Sequence, residues 1–231
     1  MLYKEIEIPT VLNPESIARL NSQLRDCESS ETKFIVLKGS DKIFCNGLDI
    51  SWVANSEGAD HLHDMALYGE FLKQLQTGKF ISIALVRGAV SGGGMGIVCA
   101  CDYVISEPSA SFSLPEGLLG LIPGMILPSL LNRLTPINVK KMVYSGKKYA
   151  AIDALQLSVV DEIQEDLLTA LNLAIQTMRA CKLGAIADIK EILYLDTQNK
   201  DALAKRGMEI LQARLHEEEI KTRLKDIADF M

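Results

Sequence analysis

Hydrophobic positions in the first two thirds of the chain alternate between short β-rich runs and amphipathic helical patterns. Between the first two runs the apolar spacing predicts a helix, with Asn13 as its N-cap and Pro14 at its first position. Alternating strands and helices are typical of an α/β domain. The predicted strands are residues 3–8, 34–37, 80–86, 104–105 and 110–113.

From residue 138 onward the pattern is helical almost throughout, with one predicted strand at 159–161. We therefore predict an α/β core over residues 1–165 and a helical part over residues 166–231. The later helices carry more apolar residues than a lone surface layer needs. Packing onto the core would bury them, but an oligomer contact is favoured.

The charge composition argues against one class of function, nucleic-acid binding. The 231 residues include 24 Lys and Arg against 30 Asp and Glu, so the formal net charge is −6. Proteins that bind nucleic acid need an excess of basic residues to neutralise phosphates, so this balance argues against a nucleic-acid partner.

The cysteines and the N-terminal residues indicate the cellular compartment of the protein. Five cysteines form no CxxC pair, and the N-terminal residues lack the layout of a signal peptide, which together predict a cytoplasmic protein. The longest apolar stretch, residues 118–131, is broken by glycine and proline, so no membrane span is expected. His61 and His63 would point to different faces of a helix, and no metal site is predicted.

Two glycine turns could carry chemistry. One lies at Gly47 and Leu48, the other at residues 92–94, and each follows a predicted strand. Backbone amides of two such turns that converge on one oxygen make an oxyanion hole, although glycines in these positions also allow tight strand-to-helix packing. The spacing fits neither a dinucleotide-binding nor a Walker loop.

One carboxylate, Glu116, lies in an otherwise apolar run over residues 112–124. Burial in such surroundings would raise its pKa toward the range that suits a general acid or base. A solvated glutamate at the start of a helix is the alternative that the residues alone leave open.

Three segments together resemble the crotonase (enoyl-CoA hydratase/isomerase) superfamily. They are residues 44–49 (FCNGLD), 87–94 (RGAVSGGG) and 114–124 (LPEGLLGLIPG), and their order and separation are similar over nearly the whole chain. Residues 75–78 (LQTG) and 110–114 (ASFSL) further resemble the enoyl-CoA-hydratase-like dehydratases of bacterial polyketide clusters that build β-branches.

The resemblance implies a crotonase (ClpP-like) spiral ββα core over residues 1–165 that holds the thioester site. It also implies a C-terminal trimerisation region over residues 166–231 and a homotrimer or hexamer. The implied substrate is an acyl group on CoA or an acyl carrier protein. No cofactor is implied, since CoA or phosphopantetheine serves only as the substrate carrier.

The same resemblance assigns roles in the site. The thioester carbonyl would be held by the amides of Leu48 and Gly93, with Glu116 as the acid and base. Hydratases of the family carry a second glutamate where this chain has Gly96. The polyketide dehydratase-like members also carry glycine there, which favours dehydration of a 3-hydroxyacyl group, such as 3-hydroxy-3-methylglutaryl, on an acyl carrier protein.

Three alternatives stay open. A single carboxylate could act as the base of a Δ3,Δ2-enoyl-CoA isomerase. A branch of the family that decarboxylates 3-methylglutaconyl-ACP uses a lysine soon after the first oxyanion turn and a C-terminal histidine. His216 resembles that histidine, but no lysine follows Leu48 closely. The missing second glutamate would also fit a non-catalytic module that binds acyl thioesters.

Further residues are candidates for contacts with the substrate. Trp52, Tyr68 and His216 are candidates for the substrate pocket, although buried or solvated structural roles fit them as well. Lys38 and Lys42 flank the loop before the first glycine turn and could contact the phosphates of a carrier.

Overall fold

The elements follow one another in a regular order of strands and helices. The computed structural model describes residues 3–30, 32–55, 59–195 and 200–230. The strands are β1 Lys4–Glu7, β2 Phe34–Lys38, β3 Ile43–Cys45, β4 Ile81–Val86, β5 Ala89–Ser91, β6 Tyr103–Ser106, β7 Ser111–Ser113, β8 Tyr149–Ala150 and β9 Glu162–Ile163. The helices are α1 Pro14–Ser29, α2 Ile50–Asn55, α3 Ala59–Thr77, α4 Gly93–Ala100, α5 Leu127–Arg133, α6 Pro136–Ser145, α7 Ala151–Gln156, α8 Leu167–Met178, α9 Leu183–Leu195, α10 Lys200–Leu215 and α11 Glu218–Phe230. A 3-10 helix spans Glu116–Leu119.

The strands form two sheets in a spiral. The larger sheet has the order β1-β2-β4-β6-β9 and is parallel, and the smaller has the order β3-β5-β7-β8 with only β8 antiparallel. Consecutive strands alternate between the sheets, as in β2 and β3, β4 and β5, and β6 and β7, and helical structure follows each pair. These repeated ββα units confirm the predicted α/β class and the implied spiral core.

The central strands β2 and β4 of the larger sheet are buried on both faces, as their continuous apolar runs require. In β2, Ile35 and Leu37 point into the main core, while Phe34 and Val36 face a second apolar cluster. Helix α8 completes that second cluster through residues such as Leu171. The first segment of the predicted helical part thus covers the outer face of the sheet.

Helix α1 begins as predicted. The Asn13 side chain accepts a hydrogen bond from the Ser16 amide at 2.9 Å, and the Ser16 hydroxyl accepts one from the Asn13 amide at 3.0 Å. Pro14 occupies the first position, where a missing N–H leaves no intrahelical bond unmade. This capping box satisfies two amides that the helix itself cannot.

One predicted strand was wrong in its position, and several short elements were not predicted. Helix α2 is one of the latter, and its start is capped by the Asp49 carboxylate accepting from the Ser51 amide at 2.9 Å. The strand predicted at 159–161 begins only at Glu162, because the amides of Val159 and Val160 donate to Ala154 and close helix α7. The short strands β3, β5 and β8 were not predicted either.

The last helices pack on different parts of the core. Helix α8 starts beside the predicted boundary at residue 165, where the Asp166 carboxylate accepts from the Leu168 and Thr169 amides at 3.1 Å. Helix α9 packs against α3, α10 against α5, and α11 against α2. The division into two domains stays a prediction. Exposed apolar residues on α8 and α9 are Leu168, Leu173, Ile189, Ile192 and Leu193.

Within the described ranges, none of the helices is both long enough and apolar enough to cross a membrane.

Candidate active site

An apolar cavity lies between the spiral core and the C-terminal helices. It encloses about 760 Å³, its open mouth included. The lining residues are Asn46, Leu48, Ile50, Val53, Met65, Tyr68, Gly92, Gly93, Pro115, Glu116, Leu119, Leu121, Ile122, Pro123, Gly124, Met125, Ile126, Leu211, Leu215 and Leu224. Among these described residues Glu116 is the only one with an ionisable carboxyl, and none is a lysine, arginine or histidine.

The two glycine turns meet at one wall of this cavity. Gly47 has a φ of +88°, in the region that favours glycine. A Cβ on Gly47 would lie 2.5 Å from the Gly93 nitrogen, and a Cβ on Gly93 would lie 3.1 Å from the Gly47 Cα. The turns are therefore in direct backbone contact, which side chains at these positions would prevent.

The amides of Leu48 and Gly93 adjoin at this contact. Leu12 donates to the Gly47 carbonyl at 2.8 Å, and Asp49 donates to the Leu12 carbonyl at 2.9 Å, so the intervening Leu48 amide points to the opposite side of its strand. Gly93 is the first residue of α4, where an amide has no acceptor within the helix. An acyl oxygen at this junction could accept hydrogen bonds from both amides.

Glu116 stands beside the glycine turn. A Cβ on Gly92 would lie 3.6 Å from its Oε1 atom. Its other oxygen, Oε2, is buried and has no hydrogen-bond partner among the described residues. Burial raises the pKa of the Glu116 carboxyl to about 7. Such a group exchanges a proton readily near neutral pH, which suits a general acid or base.

Tyr68 fills the space behind the second glycine turn, residues 92–94. Its side chain is fully buried, it lines the cavity, and its hydroxyl donates a hydrogen bond to the Gly93 carbonyl. Burial raises the pKa of the Tyr68 phenol well above its ordinary value, followed by smaller contributions that include Glu116. The phenol therefore stays protonated and remains a donor.

Gly96 has no room for a side chain. A Cβ at this position would lie 2.4 Å from Ile126 Cγ2 and 3.1 Å from the Tyr68 hydroxyl oxygen. A glutamate would have to displace Ile126, which is buried. The packing of the site thus matches the absence of a second carboxylate.

Four of the predicted site residues lie outside the lining of this cavity. Trp52 is half-buried and packs at the edge of the core, and His216 is exposed in the turn between α10 and α11. Lys38 pairs with Glu5, and Lys42 is exposed. The structure thus gathers Leu48, Gly93, Glu116 and Tyr68 in one place. The contacts of the other four with a bound substrate stay predictions.

Sequence reasoning missed the residues that close the cavity. Leu211 and Leu215 of α10 and Leu224 of α11 line it from the C-terminal side. Their apolar spacing was visible in the sequence, but it predicted only a helix face that packs on the core or on another subunit.

Comparison with known proteins identifies the family of this chain. The sequence profile of the enoyl-CoA hydratase/isomerase family matches residues 7–228. The chain belongs to this family. Its spiral ββα architecture is the crotonase fold, as solved relatives confirm.

Two curated relatives of this crotonase are dehydratases. The bacillaene synthase dehydratase PksH of Bacillus subtilis is 29% identical over 201 residues, which cover 86% of this chain and 78% of PksH. The carnitinyl-CoA dehydratase of Salmonella enteritidis is 34% identical over 165 residues, covering 68% of this chain and 61% of that protein. Both comparisons support a lyase-type enzyme.

Two solved structures share the architecture over most of their length. A Bacillus subtilis structure described as a polyketide biosynthesis enoyl-CoA hydratase (pksH) superimposes with a TM-score of 0.87 at 24% identity, covering 96% of this chain and 93% of that one. Pseudomonas aeruginosa AtuE superimposes with a TM-score of 0.77 at 26% identity, covering 90% and 88%. The expected resemblance to polyketide members of the family is thus confirmed.

Proposed function

We propose that this crotonase dehydrates a 3-hydroxyacyl thioester in polyketide biosynthesis. One observation carries the proposal: the buried, unpartnered carboxyl oxygen of Glu116 lies in an apolar cavity beside two converging glycine turns. The two dehydratase relatives support the same reaction class.

The first step is removal of the α-proton by the Glu116 carboxylate. The electron pair of the broken C–H bond moves into the thioester and forms an enolate, whose charge develops on the carbonyl oxygen. The amides of Leu48 and Gly93 stabilise that charge, and one such donor typically contributes about 3 to 4 kcal/mol. The start of helix α4 adds a favourable potential.

The second step is loss of the β-hydroxyl. Glu116, now protonated, gives its proton to the leaving oxygen as the enolate electrons form the double bond. The products are a 2-enoyl thioester and water, and the carboxylate is regenerated. A pKa near 7 suits both roles, since neither form of the carboxyl is strongly favoured at neutral pH.

The proposed substrate is a branched group such as 3-hydroxy-3-methylglutaryl on an acyl carrier protein, with acyl-CoA as the other possible carrier. No cofactor takes part. This acyl group has a free carboxylate of its own, and none of the described lining residues is cationic. That carboxylate would therefore lie toward the mouth of the cavity.

The proposed assembly is a homotrimer or hexamer. The exposed apolar residues on α8 and α9, among them Leu173 and Ile192, support an interface there because a monomer would leave them in water. Sedimentation equilibrium tests this assignment, and a monomeric mass would contradict it.

Isomerisation of a 3-enoyl thioester is the second candidate. The crowded position of Gly96 supports it, because moving a proton between two carbons needs one carboxylate and no bound water. The same Glu116 carboxyl would remove the proton from one carbon and return it to another.

Mass spectrometry detects the loss of water, and ultraviolet absorbance detects the conjugated 2-enoyl thioester that an isomerase would form without a change of mass. Carrier protein loaded with 3-hydroxy-3-methylglutaryl, carrier protein loaded with 3-hydroxy-3-methylbutyryl, crotonyl-CoA and a 3-enoyl-CoA are each incubated with the enzyme. Loss of water from a carrier-bound group supports the proposal, and the butyryl analogue shows whether the free carboxylate matters.

A further loss of carbon dioxide would add decarboxylation to the dehydration and give His216 a role. Two outcomes contradict the proposal. Conversion of the 3-enoyl-CoA alone would make the protein an isomerase. Binding of every thioester without turnover would make it an acyl-thioester binding module.

A further inference from the structure

The second oxyanion turn has no side chain of its own to hold it. Three successive glycines, Gly92, Gly93 and Gly94, form the turn and the start of α4, and Gly92 caps the helix without a side-chain hydrogen bond. Glycine backbones are the least restrained of all residues. An amide that must point at one substrate oxygen therefore needs an anchor from elsewhere in the fold.

Tyr68 reaches this turn from α3. Its hydroxyl donates to the Gly93 carbonyl, and it lies 3.5 Å from the position that a Cβ on Gly93 would occupy. The ring is fully buried, packs against Phe71 with 6.5 Å between centroids, and cannot leave without opening the core. Tyr68 is thus a rigid donor placed on the residue whose amide faces the cavity.

We infer that Tyr68 is a positioning residue, whose hydroxyl fixes Gly93 through its carbonyl so that the Gly93 amide points at the thioester oxygen. The inference rests on the proposed function for its thioester ligand, but it does not depend on which reaction follows. Tyr68 itself exchanges no proton with the substrate.

The test measures how strongly the bound carbonyl is polarised. Butyryl-CoA labelled with ¹³C at the thioester carbonyl has no β-hydroxyl to lose, so its ¹³C chemical shift and its infrared stretch report only on hydrogen bonding. In the wild-type protein, binding moves the ¹³C resonance downfield. Tyr68→Phe keeps the ring but loses the donor, and we expect it to lose much of that movement.

Tyr149→Phe is the matched control. Tyr149 is also buried, and its hydroxyl contacts Ser145 and the Lys141 carbonyl, none of which is among the cavity-lining residues. We expect this variant to retain the full downfield movement. Thermal unfolding of all three proteins shows whether each phenylalanine variant is folded.

Kinetics give a second readout wherever a turnover is found. One neutral hydrogen bond of this kind corresponds to roughly a 3- to 10-fold change, so kcat of Tyr68→Phe should fall by about that factor with KM nearly constant. A loss of folded protein alone would lower the active fraction but would leave the ¹³C shift of the bound ligand unchanged.

A difluorotyrosine at position 68 keeps the shape and packing of the ring if Tyr68→Phe does not fold. Its more acidic hydroxyl changes the hydrogen bond to Gly93, so the bound ¹³C resonance should move from its wild-type position.

The inference is overturned if the bound ¹³C resonance of Tyr68→Phe stays at the wild-type value. If Tyr68→Phe does not fold, the same result in the fluorinated variant overturns it. It is also overturned if Tyr149→Phe reduces the downfield movement as much as Tyr68→Phe does. Polarisation in the wild-type protein without any dehydration would reject the proposed reaction and leave the role of Tyr68 intact.

Discussion

Two acidic groups in this protein have opposite surroundings: the Asp102 side chain is 30% exposed and pairs with a buried lysine, whereas the Glu116 carboxyl is buried without a partner. Asp102 Oδ2 accepts from the Lys190 ammonium at 2.7 Å and from the amide and hydroxyl of Ser82 at 2.8 and 2.9 Å. The Lys190 ammonium also donates to the carbonyls of Leu75 and Phe80. Around Glu116 there is no cation among the lining residues, and Oε2 has no described partner.

The difference separates structural from chemical use of a carboxyl group. At Asp102 every donor is matched, so the ion pair fixes α9 against the end of α3 and the larger sheet. At Glu116 burial without a partner disfavours the charged form and raises the pKa to about 7, so that both the protonated and the ionised carboxyl are populated near neutral pH. A buried acid that its own fold leaves unsatisfied is therefore the better candidate for chemistry.

The largest expected effect is loss of turnover in Glu116→Gln. The amide has nearly the same shape but cannot take up a proton, so the rate of dehydration should fall by about 10²- to 10⁴-fold. Glu162→Gln is the control and should keep full activity, because this carboxylate lies in strand β9, accepts a hydrogen bond from Tyr103 and is not among the cavity-lining residues. Steady-state kinetics check both, and near-normal turnover in Glu116→Gln would reject the assignment.

Lys190→Met should have the next largest effect, on stability. Removing the buried ammonium leaves the Leu75 and Phe80 carbonyls without their donor and Asp102 without its cation, and we expect a loss of about 1 to 3 kcal/mol in the free energy of unfolding. Urea denaturation measures it. In Asp102→Asn/Lys190→Met the loss should be smaller than the two single losses combined, because the charge left behind is gone. A single-variant loss below about 0.5 kcal/mol would show that the pair is not structural.

The raised pKa of Glu116 predicts that the stability of the protein depends on pH. The folded pKa of about 7 lies above the ordinary value of 4.5, so the folded protein holds this proton more tightly than the unfolded chain. The resulting stability is fully present below pH 4.5 and is lost as the pH rises through about 7. Relative to Glu116→Gln, the wild type should therefore lose up to about 3 kcal/mol between about pH 5 and about pH 9.

Parallel urea titrations of the two proteins across this range measure the difference. If the free energy of unfolding changed with pH in the same way in the wild type and in Glu116→Gln, the carboxyl would titrate near its ordinary pKa and be well solvated. Dehydration should show the opposite trend at its onset, since the base form of Glu116 increases as the pH rises toward 7.

The smallest expected effect concerns the space beside the carboxyl. In Gly96→Ala the new Cβ presses on Ile126, and such overpacking costs about 1 to 3 kcal/mol. Gly69→Ala is its control, because nothing lies within 4 Å of that position in helix α3, and alanine there should stabilise by up to about 1 kcal/mol. Thermal unfolding compares them, and equal stabilities would mean that a Cβ fits at position 96 without displacing Ile126.

Local features were predictable from the sequence because their causes are local. Asn13 and Pro14 start α1 through contacts within one turn. Both glycine turns and the apolar run around Glu116 were recognised from neighbouring residues. The class of fold followed from the alternation of strands and helices.

Contacts between distant segments were not predictable in this way. The approach of Gly47 to Gly93 depends on the stacking of successive ββα units, and the pairing of Lys190 with Asp102 joins residues 88 positions apart. Short strands such as β9 are set by the partner strand more than by their own sequence. The positions of α10 and α11, whose apolar faces close the cavity, also depend on contacts with distant segments.

Exchange of the substrate α-proton with solvent tests the central claim most directly. Butyryl-CoA cannot eliminate water, so incubation in deuterium oxide isolates the first step of the proposed reaction. We predict that the wild-type protein incorporates deuterium at the α-carbon and that Glu116→Gln does not, as read by mass spectrometry. Equal incorporation by both proteins, or none by the wild type, would contradict the role of Glu116 as the base.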